Sequence, residues 1–268
     1  TENLISIKFH FPNSGTFILD ELSVKLVSGA PDPVQVKNAL KTWVTSMTAR
    51  YKGKITGWDV VNEVVVDGTG ELRTGSNSPG GGADAFYWAD HLGRSYIDSA
   101  FRWANAADPD AKLFINDYNL ESDNRKLDSV IKIINQLKTA GIPIHGVGVQ
   151  MHISISTGNT GIDNMFQKLA ATGLLIHVSE MDVRMNPSNT TGFTATATLH
   201  DQQAQKYKYV AQSYFQNVPA AQRFGITVWN LTDADSWIVV GGKEDFPTLF
   251  NNTYQKKPAY TGFLQGLK

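Results

Sequence analysis

The sequence predicts an α/β fold built on a parallel β-sheet, and two observations support this. From residue 30 onward, short β-branched runs alternate with longer segments whose apolar residues recur at helical spacing. Five strand-then-helix units follow one another, and repeated units of this kind imply a parallel sheet with helical crossovers. Two of the apolar runs, 58–63 and 176–182, also stop abruptly on carboxylates. Folds of this class carry their catalytic and binding residues at such strand ends.

The elements are predicted in order along the chain. Asp32 followed by Pro33 marks the start of the first helix, because a capping side chain before an N-terminal proline favours that boundary. Strands are predicted at 55–62, 112–117, 146–152, 175–182 and 225–232. Helices after them are predicted at 85–106, 122–140, 162–172, 199–217 and 259–267, with a Gly-rich loop at 68–82. Five strands do not close an eight-stranded barrel, which leaves either an open sheet or three units outside this chain.

The first 29 residues have a different pattern. Apolar and polar residues alternate from Ile5 to Phe11, and a turn at 13–15 precedes a second strand-like run at 17–27. Such alternation is typical of antiparallel, half-buried strands. Two strands alone are marginally stable in water, so we expect this short antiparallel β segment to belong to a larger β-structure.

Composition excludes several classes of function. The 268 residues are 41% hydrophobic and 18% charged, with a net charge of −1, which is typical of a globular protein. Near-neutral charge predicts no binding to nucleic acid. There are no cysteines, so disulfides and thiolate chemistry are excluded. No apolar run reaches membrane-spanning length, and no membrane insertion is expected.

Two glutamates are the candidate catalytic residues. Glu63 directly follows Asn62 at the end of one predicted strand, and Glu180 ends another that continues into Asp182. Strand ends of a parallel sheet meet at one rim, so the two carboxylates are expected to lie close together. A glycosidase needs such a pair, because one carboxyl protonates the leaving oxygen while the other attacks the sugar or activates water. A lone glutamate would more often be a charge with a structural partner.

Five segments resemble the strand signatures of glycoside hydrolase family 10, in that family's order. They are 58–63 (WDVVNE), 114–119 (FINDYN), 147–152 (VGVQMH), 178–182 (VSEMD) and 227–237 (TVWNLTDADSW). The resemblance covers about residues 34–268 and implies a (β/α)8 TIM barrel, of which this chain carries strands 4 to 8. Most members are retaining endo-β-1,4-xylanases. The resemblance therefore implies hydrolysis of internal β-1,4-xylosidic bonds, with xylan or xylo-oligosaccharides as partners.

The resemblance also implies roles for individual residues. Glu63 matches the acid/base, Glu180 the nucleophile of a double displacement, and Asn62 the residue that hydrogen-bonds the sugar 2-hydroxyl. His152 matches a histidine that orients the nucleophile, and Asp182 would support it. The remaining matches are Gln150 beside the acid/base, Trp229 and Trp237 as walls of the glycone subsites, and Tyr118 as a platform on the aglycone side.

Other conspicuous residues are interpreted as structural. Trp43 and Trp58 are expected in the core, and Asp233 and Asp235 are expected to shape a loop, since their spacing lacks the dense oxygen ligands of a calcium site. No metal or cofactor is expected. The histidines without a partner pattern are His10, His91, His145, His177 and His200.

The family's first three strands, which line the glycone subsites, have no match here. We expect a missing N-terminal barrel segment, upstream in the same polypeptide or in another chain, to complete the sheet. The run 15–24 resembles the closing strand of a jelly-roll carbohydrate-binding module. Residues 1–29 are therefore interpreted as the end of an inserted β-sandwich module and 30–268 as the C-terminal five βα units. A secreted, periplasmic or cell-surface enzyme is expected, with any signal peptide outside this chain.

Two alternatives remain open. One keeps the fold and mechanism but acts on a β-1,4-glucan or an aryl-cellobioside, because residues of the missing strands often decide that discrimination. The other is a non-catalytic sugar-binding barrel. The presence of both Glu63 and Glu180 argues against the second, since a binding protein has no need of an acid/base paired with a nucleophile.

Overall fold

A parallel β-sheet organises the residues that the computed structural model describes, 32–78 and 85–268. Every strand pair is parallel, and the order β1-β2-β3-β5-β6 follows the chain, with β4 continuing the line of β3 beside the end of β5. This confirms the predicted α/β fold with a parallel sheet. The strands are β1 (Gly57–Asn62), β2 (Lys112–Tyr118), β3 (Gly146–Gln150), β4 (His152–Ser154), β5 (Leu175–Arg184) and β6 (Arg223–Val228).

Helices connect the strands, as repeated βα units require. Helix α1 begins as predicted: Pro33 is its first residue, and the Asp32 carboxylate accepts a hydrogen bond of 2.9 Å from the Val34 amide. The helices are α1 (Pro33–Arg50), α2 (Trp88–Leu92), α3 (Ser95–Ala107), α4 (Asn124–Thr139), α5 (Asn159–Ala170), α6 (Ala197–Asn217), α7 (Trp237–Val240) and α8 (Pro258–Gly266).

The hydrophobic core lies between the sheet and its helices. Ile115 on β2 and Val178 on β5 have no exposed surface, and Phe101, Ile134 and Phe166 on α3, α4 and α5 are equally buried. Burial of such side chains is the main stabilising term of the fold. The core fixes the strand positions and therefore the side chains at the strand ends.

Three predictions about local structure need correction. The single helix predicted at 85–106 is broken into α2 and α3 at Gly93, whose φ of 56° a helix does not allow. The strand predicted at 146–152 is interrupted at the buried Met151, between β3 and β4. Trp43 is 65% exposed rather than in the core, because the face of α1 turned to α3 runs through Val36 and Leu40 instead.

Other predictions have different outcomes. Trp58 is half-buried against the core, as expected. The strand pattern of residues 1–29, with His10, lies outside the described residues, as does the end of the loop predicted at 68–82. Within the described ranges, none of the helices has the length and apolar character needed to cross a bilayer.

Strands β1 and β6 form the two edges of the described sheet. Among residues 32–78 and 85–268, β1 pairs only with β2 and β6 pairs only with β5. The inner faces of both strands are partly exposed. Asp59 on β1 and Thr227 on β6 are exposed there, while Phe224 contacts Phe114 at a ring distance of 4.7 Å.

Candidate active site

The two candidate carboxylates lie on the same side of the sheet, one directly after β1 and the other in the C-terminal half of β5. Glu63 comes directly after the last residue of β1, and its amide donates a 2.8 Å hydrogen bond to the carbonyl of Asn116 on β2. Its φ of 55° lies in the left-handed region that residues with a Cβ rarely adopt. Glu180 lies within β5, two strand positions beyond β2. Parallel pairing therefore delivers both side chains to one rim.

Side-chain amides join the two carboxylates. Asn116 Nδ2 donates to Asn62 Oδ1 at 2.8 Å and to Glu180 Oε1 at 2.9 Å. Gln150 Nε2 donates to the same Asn62 oxygen at 2.9 Å and lies 3.4 Å from Glu63 Oε1. A continuous chain of hydrogen bonds therefore runs from Glu63 to Glu180 and involves residues of four strands, β1, β2, β3 and β5.

Asn116 is the member of this network that sequence reasoning missed. It is 1% exposed, and Ser179 Oγ donates to its Oδ1 at 2.7 Å. A Cβ added at Gly148 would lie 2.3 Å from that oxygen, so the glycine makes room for the amide. The signal was present, because Asn116 alternates with Phe114 and Tyr118 on β2 and all three share the inner face.

His152 lies between two carboxylates, those of Glu180 and Asp182. Its Nε2 lies 3.2 Å from Glu180 Oε2 and its Nδ1 2.8 Å from Asp182 Oδ2. Burial alone would lower the pKa of His152, but the hydrogen bonds and negative charges of these partners raise it to about 9. At neutral pH His152 is therefore an imidazolium that donates to both carboxylates.

Two tryptophans enclose this histidine. Trp237 Nε1 donates to Asp182 Oδ2 at 2.9 Å, and the Trp237 ring meets the imidazole edge-on at 5.2 Å. The Trp229 ring lies 6.2 Å from the imidazole, also edge-on. Trp229 is 39% exposed and Trp237 49% exposed, so both keep free surface. Flat aromatic surface beside polar groups suits the apolar face of a sugar ring.

Tyr118 lies on the Glu63 side of the site, between two cations. Lys126 Nζ is 3.3 Å from its ring centroid, and Arg73 Nη2 donates to its hydroxyl at 3.0 Å. Lys126 has no exposed surface and pairs with Asp117 at 2.8 Å and with Asp67 at 2.7 Å. The ring is therefore fixed from one face and from its hydroxyl.

Asp59 adds a further carboxylate that the sequence did not single out. Although Asp59 keeps exposed surface, partial loss of hydration and, second, the negative charge of Glu180 raise the pKa of its carboxyl above the usual range. Its position on β1, four residues before Glu63, places it deeper along the inner face than the rim.

The structure thus brings every candidate site residue into one region or its walls. The acidic pair at 233 and 235 lies instead in a loop, where Asp233 accepts from the Thr248 amide at 2.9 Å and pairs with Lys257 at 3.0 Å. Asp235 accepts from Thr232 at 2.7 Å. These contacts shape the loop that carries Trp237. In the part of the chain that the structure describes, no three His, Cys, Asp or Glu side chains form a group that could hold a metal ion.

Comparison with known proteins identifies the architecture. Residues 21–266 match the family model described as glycosyl hydrolase family 10. A solved structure of a mutant xylanase A from P. fluorescens subsp. cellulosa in complex with xylopentaose superposes with a TM-score of 0.77. The two are 33% identical, and the match covers 87% of this chain and 71% of the other. The parallel sheet is thus that of the family's barrel structures.

Curated relatives have similar identities. Endo-1,4-beta-xylanase A of Cellvibrio japonicus is 35% identical over 238 residues, which are 84% of this chain and 39% of the relative. Exoglucanase XynX of Acetivibrio thermocellus is 36% identical over 229 residues, 82% of this chain and 19% of the relative. The chain therefore spans less than half the length of these two proteins. With the family model covering most of the sequence, the chain belongs to glycosyl hydrolase family 10.

Proposed function

We propose that this chain carries the catalytic residues of a retaining endo-1,4-β-xylanase, with Glu63 as acid/base and Glu180 as nucleophile. The observation that carries this proposal is the network in which the two carboxylates share the Asn116–Asn62–Gln150 amides while only Glu180 contacts His152. Family membership supports the same reaction. The relatives named above are themselves described as xylanases and as an exoglucanase.

The surroundings of Glu180 suit a nucleophile. One carboxylate oxygen accepts from Asn116 and the other from the His152 imidazolium. Both contacts fix its orientation, so that it can attack the anomeric carbon from the face opposite the leaving group.

Glu63 has surroundings that suit proton transfer. Its carboxyl contacts only the amides of Asn62 and Gln150, each at 3.4 Å, among the described residues. In the first step its proton goes to the glycosidic oxygen while Glu180 forms a covalent ester with the sugar. In the second step the Glu63 carboxylate takes a proton from water, which attacks the anomeric carbon and releases Glu180.

The remaining side chains are assigned to substrate binding. Asn62 accepts from both Asn116 and Gln150, which orients its amide toward the 2-hydroxyl of the reacting sugar. A bond to that hydroxyl that strengthens in the transition state lowers the barrier. Trp229 and Trp237 form the glycone walls, and Tyr118 forms the aglycone platform. Asp182 holds His152 and the Trp237 indole in place.

We also propose that β1 to β6 correspond to strands 4 to 8 of a (β/α)8 barrel, with β3 and β4 as one strand. Within the described ranges β1 and β6 each have one neighbouring strand, and this chain covers 71% of the xylanase A chain. Both observations support the assignment. An upstream segment of the same polypeptide, or another chain, would supply the first three strands. Residues 1–29 would end a carbohydrate-binding module, although the family match already begins at residue 21. Action on a polymer favours a secreted, periplasmic or cell-surface location.

One relative favours a second candidate substrate. The match to an exoglucanase keeps β-1,4-glucan or an aryl-cellobioside open for the same residues and mechanism. A non-catalytic sugar-binding barrel has no comparable support. Sugar binding alone does not require an imidazolium in contact with Glu180 and not with Glu63.

Hydrolysis tests the proposal directly. The chain, alone and co-expressed with an upstream segment carrying three βα units, is assayed on xylan and on cellulose, with Glu180→Gly as the inactive control. Xylan hydrolysis that the control lacks, with the β-anomer as the first product seen by NMR, supports a retaining xylanase. Preference for cellulose would support the second candidate. If neither polymer is cut under either condition, both enzyme proposals are wrong.

A further inference from the structure

Arg73 lies in the loop after β1 and hydrogen-bonds both the backbone of Glu63 and the hydroxyl of Tyr118. We propose that Arg73 is the positioning residue that holds the backbone of Glu63 and the ring of Tyr118 in fixed relation to each other. The inference rests on the proposed function, which gives these two residues their roles as proton donor and aglycone platform.

The backbone of Glu63 is held from both sides. Its φ of 55° is unfavourable for a residue with a Cβ and persists only where the surroundings fix it. The amide of Glu63 donates to the Asn116 carbonyl at 2.8 Å, and its own carbonyl accepts from Arg73 Nε at 2.7 Å. Arg73 thus supplies the restraint on the side of Glu63 that faces away from the sheet.

The same guanidinium reaches two more groups. Its Nη2 donates to the Val65 carbonyl at 3.1 Å and to the Tyr118 hydroxyl at 3.0 Å. The Arg73 amide in turn donates to the carbonyl of Val64 at 2.8 Å. Val64 and Val65 are 2% and 1% exposed, so the segment that Arg73 braces is anchored in the core.

This geometry needs the planar fork of arginine. Nε and Nη2 point in fixed directions, which allows one side chain to bind the Glu63 and Val65 carbonyls and the Tyr118 hydroxyl together. A lysine ammonium keeps the charge but cannot span the same acceptors from one plane. Charge alone is therefore not the property that the site requires.

Proton donation by Glu63 depends on the position that Arg73 gives to Glu63 relative to Tyr118. The leaving sugar would lie on Tyr118 while its glycosidic oxygen meets the Glu63 carboxyl. A misplacement of about 1 Å between reacting groups can cost about 100-fold in rate. The loss should be largest for substrates that need both a proton and an aglycone contact, and small for activated aryl glycosides, whose leaving group needs neither.

The chain offers a matched control at Arg223. Its Nε donates to the Val218 carbonyl at 2.8 Å, its Nη2 donates to the Phe215 carbonyl at 2.6 Å, and its guanidinium lies 4.9 Å from the Phe215 ring. Arg223 begins β6, at the opposite end of the strand from the rim. Arg223→Lys therefore removes the same kind of fork from backbone carbonyls without touching the site.

The experiment compares Arg73→Lys, Arg73→Gln and Arg223→Lys in the active enzyme. Both Arg73 variants should lower kcat/KM on xylohexaose by about 100-fold but lower it on a dinitrophenyl xylobioside by less than about 5-fold. Arg223→Lys should change neither value. Equal losses on the two substrates, or full activity of Arg73→Lys, would overturn the proposal.

A second measurement separates this inference from the proposed function. Amide hydrogen exchange of residues 62–66 reports the Glu63 backbone whether or not the protein hydrolyses xylan. Exchange there should be faster in Arg73→Lys than in Arg223→Lys and the parent protein. An inactive parent with this pattern would refute only the xylanase proposal. Unchanged exchange in Arg73→Lys would refute the role of Arg73, whatever the activity.

Discussion

His152 is anchored to Asp182: its Nδ1 lies 2.8 Å from an Oδ2 whose carboxylate has no exposed surface. The same Oδ2 accepts the indole N–H of Trp237 at 2.9 Å. The position of the imidazolium is therefore set by a buried group, and its other nitrogen is presented to Glu180. The positive charge beside Glu180 therefore depends on Asp182, a carboxylate that we do not place against the sugar.

This arrangement predicts a pH-dependent stability. The pKa of His152 is about 9 in the folded state against about 6.5 in unfolded chains, so the folded state binds more protons between these values. The stabilisation is complete below pH 6.5 and is lost as the pH rises through 9, at up to about 1.4 kcal/mol per pH unit. Urea unfolding of the parent and of His152→Gln from pH 6 to pH 9.5 should show this slope only in the parent.

His145 provides the control for that measurement. Burial and Lys112 lower the pKa of His145, so it contributes no proton uptake above pH 7. His145→Gln should keep the alkaline slope of the parent even if its overall stability changes. A slope that survives in His152→Gln would show that another group is responsible.

Removal of Glu180, the proposed nucleophile, gives a prediction about product stereochemistry. Glu180→Gly should lower kcat on xylan by at least about four orders of magnitude, because no covalent intermediate can form. Azide can then occupy the space left on the α face and displace an activated leaving group directly. NMR should identify an α-glycosyl azide. Near-parental activity without azide would contradict the assignment of Glu180.

Removal of Glu63, the proposed acid/base, should have a different kinetic effect. Glu63→Ala should lower turnover of xylan by about 1,000-fold, while a dinitrophenyl xylobioside should still release a burst of phenol, since its leaving group needs no proton. Azide would attack the accumulated glycosyl-enzyme from the β face and give a β-glycosyl azide. Equal loss on both substrates, without a burst, would count against this role.

The close approach of Gly148 to Asn116 can be tested by one methyl group. A Cβ at residue 148 would lie 2.3 Å from Asn116 Oδ1, so Gly148→Ala must displace the amide that binds Asn62 and Glu180. We expect kcat to fall about 10- to 100-fold. A methyl group at Gly225 on β6 would meet no atom within 4 Å, so Gly225→Ala is the matched control and should keep parental kcat. Similar losses in both variants would contradict the proposed mechanism.

The sequence predicted those parts of the site that coincide with strand ends. Glu63 and Glu180 terminate or interrupt β-branched runs, and parallel pairing alone brings such residues to one rim. Asn116 could not be assigned from local sequence, because its partners Asn62 and Glu180 are 54 and 64 residues away along the chain. Arg73 could not be assigned either. It lies in a loop whose sequence has no periodic pattern, so the direction of its side chain cannot be predicted.

Errors in the fold have a similar origin. Gly93 breaks a helix because its φ is positive, yet isolated glycines also occur within continuous helices, so the break is invisible to spacing. Trp43 keeps helical spacing with Val36, but α1 turns a slightly rotated face toward α3. Periodicity indicates that a face is apolar, and only the packing partner decides which edge of that face is covered.

The exposure of Trp43 has an optical consequence. An indole that is 65% exposed emits at long wavelength, and any polypeptide that covers the adjoining face of α1 would shift that emission to the blue. Trp229 and Trp237 also keep free surface, but they line the proposed sugar site and are expected to respond to ligand instead. The chain therefore carries one exposed indole that reports coverage of α1 and two that report occupation of the rim, and a Trp43→Phe protein distinguishes the two signals.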